Sequence, residues 1–128
     1  MTPASLLLAA RIAAILTLAF VGVLFVSAGL LVQEARGLDV HGIGAIAIHV
    51  SSGLLAALLT VRAWRTGSGR TAAGVAIVLF GATFAQAALG DYLTLALHVV
   101  GALVVTVLAT GLAVWAFTSP NRTAAATQ

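Results

Sequence analysis

The chain has 128 residues, 62% of them hydrophobic and 7% charged, where a soluble domain carries about 25% charged residues. Its formal charge of +3 comes from six arginines, without lysine, against three acids. The arginines flank apolar runs, so the basicity reads as membrane orientation and excludes nucleic acid as a partner. The absence of cysteine excludes disulfides, thiolate metal sites, thioether-linked haem and iron–sulfur clusters.

The first apolar run extends from about Ala9 to Val32, with Arg11 near its start. Ile12–Val32 alone supplies the roughly 20 apolar residues that a spanning helix needs. A signal peptide cleaved after Val26-Ser27-Ala28 is the competing reading. The run continues past that point, so retention of Met1–Val32 is the expectation. Gly22 and Gly29, seven apart, share one face and are expected to let a neighbouring helix approach. The connection Gln33–Asp39 holds two of the three acids, and Asp39 suits the N-cap of the next helix.

The second run, about residues 40–64, ends in Arg62, Trp64 and Arg65, a pairing of residue types found at membrane–water interfaces. Thr66–Arg70 is a short polar turn. A third run, 71–89, has Gln86 near its end, and Gly90-Asp91 turns into a fourth, 92–117, closing on Trp115 and Phe117. Ser119-Pro120 breaks that helix, and residues 121–128 read as a disordered tail. The expected architecture is therefore all-α: an up-down-up-down four-helix membrane bundle occupying residues 1–120. Arg11, Arg62, Arg65, Arg70 and Arg122 all fall on one side, which predicts cytoplasmic termini in a bacterial-type inner membrane. The bilayer is the first partner expected, followed by other membrane subunits or further copies of the chain.

Three histidines interrupt the apolar runs. An ionisable residue inside a spanning segment is costly and marks a functional position unless it is bonded internally. His49 and His98 lie on the second and fourth runs, which share a direction. They fall about 15 Å and 10 Å past Asp39 and Asp91 at 1.5 Å per residue. A weak internal repeat pairs them, since Ile48-His49-Val50 recurs as Leu97-His98-Val99 and Val23-Leu24-Phe25 as Val78-Leu79-Phe80. Small residues, Gly53 and Gly101 among them, share their faces and would leave room for a flat ligand. Two imidazoles at matched depth on facing helices suit bis-histidine ligation of a haem iron. Zinc would need a third protein ligand. His41, about 12 Å from His49 along the same helix, reads as interfacial or as a contact to a haem propionate. Gln86 and Gln33, near the same level, could bond a cofactor edge or each other. The competing reading is that both histidines simply bond Ser51, Ser52, Thr94 or a carbonyl and hold helices together.

The segments Gln86-Ala87-Ala88-Leu89-Gly90 and Leu97-His98-Val99-Val100-Gly101-Ala102-Leu103 are similar to the Gln-x-x-Leu-Gly and Leu-His segments of haem A synthases. Ile48-His49 with Leu54–Leu58 resembles that family's second helix more loosely. In that family each half is a four-helix bundle with haem-ligating histidines on its second and fourth helices. The resemblance implies haem b held by His49 and His98. Ile46 and Val50 stand where the family carries an acid and an arginine, and the family's cysteine pair is missing. The implied activity is thus haem binding or electron transfer rather than haem synthesis. The chain also resembles short four-helix bacterial membrane proteins of unassigned function. A cofactor-free accessory or scaffold subunit is the alternative expectation, marked by histidines bonded inside the bundle and a lipid-facing stripe of small residues. A carrier is less favoured, since no run contains an acid. No acid–base or nucleophilic constellation suggests an enzyme in its own right.

Overall fold

A computed structural model describes residues 1–120; the tail expected at 121–128 lies outside the described residues. The chain is all-α: α1 (Pro3–Glu34), α2 (Leu38–Thr66), α3 (Arg70–Ala88) and α4 (Leu95–Thr118), with a 3₁₀ turn at Tyr92–Thr94. All four α-helices are long and apolar enough to cross a membrane. They form a ring in which each packs on its two neighbours, leaving α1 opposite α3 and α2 opposite α4.

Three boundaries differ from the sequence reading, each for a local reason. α1 begins six residues before Ala9, because Thr2 caps it by accepting from the Ser5 N–H at 3.1 Å and Pro3 occupies its first turn. Arg11 therefore lies well inside the helix. Its Nε donates to the Ala116 carbonyl at 3.0 Å and its Nη2 to that of Ser119 at 3.1 Å, so it caps the end of α4. Asp39 is not an N-cap. Gly37, with φ of +93°, takes that position, and Asp39 falls in the first turn, where its charge complements the helix dipole. α4 starts at Leu95 rather than residue 92. The Thr94 hydroxyl donates to the Leu89 carbonyl at 2.7 Å and holds the preceding residues in a tight turn.

The packing is tapered. In α4 every buried residue lies between Val105 and Ala116, and in α3 between Ala72 and Thr83. Alanines dominate this half, including Ala10, Ala14, Ala76, Ala109 and Ala116, so the helices approach closely. This is the end that carries Arg62, Arg65 and Arg70. The other end carries Glu34, Asp39 and Asp91 with His41 and His98, and there α4 buries nothing from Leu95 to Val104. Midway, the buried Thr17 hydroxyl sits 2.8 Å from the Ala13 carbonyl and 3.1 Å from Ser51 Oγ, linking α1 to α2.

Gly22 and Gly29 do not receive a helix of this chain: nothing lies within 4 Å of where a Cβ would stand on either. The same holds for Gly74 and Gly81 on α3. Closely packed alanines thus line the inside, while these glycines face outward.

Candidate functional site

His41, His49 and His98 are all half-buried. On α2, the His49 Nδ1 meets the Ala45 carbonyl one turn back, and its ring stands edge-to-face on Phe84 of α3 with centroids 4.3 Å apart. His98, three residues into α4, places Nδ1 2.9 Å from the Gln86 carbonyl near the end of α3. Its Cε1 comes within 4.0 Å of the Cβ position at Gly90. His41, one turn into α2, meets Ser27 Oγ at 3.0 Å.

The acceptors fix the tautomers. A carbonyl can only accept, so His49 and His98 each carry the proton on Nδ1. The Ser27 hydroxyl lies 3.1 Å from the Leu24 carbonyl and donates there, leaving its oxygen to accept from His41 Nδ1. The Nδ1 of each ring is therefore engaged within the bundle. A second-shell oxygen on Nδ1–H is how metal-ligating imidazoles are commonly oriented.

Side chains of α3 lie on the small-residue faces expected beside His49 and His98. A Cβ on Gly53 would stand 3.0 Å from Phe80 Cε2, so its open face receives that ring. Phe80 in turn stands edge-to-face on Phe84 at 5.0 Å. A Cβ on Gly101 would fall 1.8 Å from Gln86 Nε2, so the amide of Gln86 lies directly on the α4 backbone. Phe80, Phe84 and Gln86 of α3 thus cover the faces of Gly53, His49 and Gly101.

Along α3, His49 meets the Phe84 ring and His98 the Gln86 carbonyl two residues further on, about 3 Å of helix rise. Gln33 is exposed at the end of α1, and α1 and α3 are not in contact, so the suggested Gln33–Gln86 pair does not form. Among the described residues no group of three or more His, Asp or Glu side chains is placed to hold a metal ion.

Phe80 and Phe84, four apart and facing Gly53 and His49, are the residues the sequence reading passed over. So is Ser27, a small polar residue on an apolar helix. Their signal was present: aromatics at i and i+4 opposite a glycine are a packing pair. The chain matches no family model, no curated protein and no solved structure.

Proposed function

We propose that this chain is a cofactor-free subunit of a larger membrane assembly, in which four spanning helices provide a rigid bundle and the histidines serve its packing. One observation carries the reading: His49 and His98 each spend Nδ1 on a carbonyl within the bundle, and Phe80, Phe84 and Gln86 of α3 cover the faces of Gly53, His49 and Gly101. The outer surface supports it. Leu97, Val99, Val100, Leu103 and Val107 on α4 are all at least 60% exposed, as only a lipid-facing or partner-facing helix tolerates. The outward glycines at 22 and 29 on α1, and at 74 and 81 on α3, would let another spanning helix approach closely. The arginine end faces the cytoplasm in this reading.

The Nδ1 contacts favour one second reading, a b-type haem module, because an oxygen on Nδ1 is how metal-ligating imidazoles are commonly oriented. It would require Phe80, Phe84 and Gln86 to leave the faces of Gly53, His49 and Gly101. A visible spectrum decides between the two. Protein purified from haem-supplied cells, oxidised and then reduced, is expected to lack a stoichiometric Soret band. A band at one haem per chain that disappears in both His49→Ala and His98→Ala would establish the haem module instead.

A further inference from the structure

Arg62 is the most deeply buried charge among the described residues, with only 7% of its surface exposed. It lies on the inward face of α2, in register with the buried Leu55 and Leu59. Its Nε is buried and has no hydrogen-bond partner. The guanidinium lies 5.6 Å from the Trp115 ring centroid, which steadies the cation but accepts none of its N–H groups in the ring plane. Gly69 makes room for this pair, since a Cβ there would fall 3.2 Å from Arg62 Nη1 and 3.0 Å from Trp115 Cζ2.

The other arginines at this end are accounted for differently. Arg11 donates to the Ala116 and Ser119 carbonyls, and Arg65 donates to that of Met1 at 2.6 Å. Arg70 is exposed to solvent. All three acids lie at the opposite end of the bundle, so Arg62 is a buried cation with no counter-charge near it among the described residues. Burying a charge is tolerated when it is paired and hydrogen-bonded.

The cavity beside Arg62 has room for the missing anion. It measures about 220 Å³ and is lined by Arg62, Thr66 and Ser68 together with Pro3, Ala4, Leu7 and Pro120. Pro3 and Ala4 open α1, so the positive end of a helix dipole also faces the space. A planar guanidinium presenting a fork of N–H donors matches the oxygens of a phosphate better than a spherical anion. We infer that this cavity is a binding site for a phosphate group, with Arg62 as its principal ligand and the hydroxyls of Thr66 and Ser68 beside it. The group could belong to an anionic phospholipid headgroup at the membrane surface or to a free phosphate compound. The inference stands apart from the reading of the histidines.

The test uses the full chain in detergent with two probes: phosphatidylglycerol, followed as bound lipid by native mass spectrometry with phosphatidylcholine as the neutral control, and inorganic phosphate, followed by thermal unfolding. Either probe is expected to bind the wild type. Arg62→Gln should weaken binding by at least about tenfold, the scale of losing hydrogen bonds to a charged group. Arg65→Gln, which removes the same charge three residues away, should weaken it by less than about threefold, as expected of an exposed charge. Ala4→Trp, which fills the cavity and leaves Arg62 in place, should also abolish binding and guards against an unfolded Arg62 variant. Retention of phosphatidylglycerol assigns the site to a headgroup, and stabilisation by phosphate alone assigns it to a soluble ligand. Equal losses in Arg62→Gln and Arg65→Gln would reduce the effect to diffuse charge and overturn the site. So would the absence of binding by both probes, or unchanged binding in Ala4→Trp.

Discussion

Replacing Gly53 by alanine puts a methyl group 3.0 Å from Phe80 Cε2 and 3.3 Å from Cδ2. Carbon atoms pack comfortably at about 3.5–4.0 Å, so the ring must retreat by roughly half an ångström or more. It is not free to do so, because Phe80 rests on Phe84 and Phe84 on His49. Overpacking of this kind costs about 1–3 kcal/mol. Alanine in place of a mid-helix glycine returns about 0.5–1 kcal/mol. The net expectation is a loss of about 0–2.5 kcal/mol, the difference of those two effects. Equilibrium unfolding followed by helical circular dichroism, in mixed micelles of rising SDS content, measures it. Combining Gly53→Ala with Phe80→Leu should recover part of the loss, giving a coupling of about 1 kcal/mol between adjacent residues. A Gly53→Ala variant more stable than wild type, with additive effects at Phe80, would refute the reasoning. The ring would then not be held against Gly53, and the face beside His49 would be open to a flat ligand.

Arg11→Gln should loosen the end of α4, since it removes two charge-assisted bonds to Ala116 and Ser119. The expected cost is about 1–3 kcal/mol, read as faster amide exchange confined to the last turns of α4. The orientation rests on Arg11, Arg62, Arg65, Arg70 and Arg122. A reporter joined after Gln128 should be cytoplasmic and one inserted at Leu38 external, and an external Arg62–Arg70 turn would reverse the assignment.

The four helices were legible because each is announced by an uninterrupted apolar run bounded by glycine, arginine or a polar turn. Their ends were less so. Hydropathy treats Arg11 as an edge, whereas the guanidinium is carried inside α1 by carbonyls 105 and 108 residues away in sequence. The same blindness applied to Asp39, where the glycine at position 37 takes the cap through its left-handed conformation. The candidate site was read from spacing along α2 and α4 alone, which fixes approximate depth but says nothing of what α3 lays against them. Phe80, Phe84 and Gln86 all come from α3, and together they occupy the faces of Gly53, His49 and Gly101. The positions of the histidines were thus visible in one dimension, and their surroundings depended on a third helix. Arg62 is the reverse case. Its trio of spacings with Leu55 and Leu59 placed it on the core face, but its neighbours Trp64 and Arg65 drew the whole cluster to the membrane interface.

Two buried side-chain atoms among the described residues have no hydrogen-bond partner, and they differ in kind and place. Arg62 Nε is a donor near the arginine end, and Gln86 Oε1 is an acceptor near the histidine end. Elsewhere the interior closes on itself: Thr17 and Thr83 use helix carbonyls, Ser27 accepts from His41, and His49 and His98 use carbonyls of their own and the neighbouring helix. An unmet polar group is costlier away from water than beside it, so an otherwise satisfied bundle concentrates that cost at two points. At the arginine end Arg62 lines a cavity with the hydroxyls of Thr66 and Ser68 around it, which makes an anion the natural complement. At the histidine end the acceptor lies where α4 buries none of its first ten residues, on the side where the bundle is loosest. The alanine-packed half is thus closed along its interior and left incomplete only at Arg62, whereas the histidine end is loosely packed along α4 and left incomplete at Gln86.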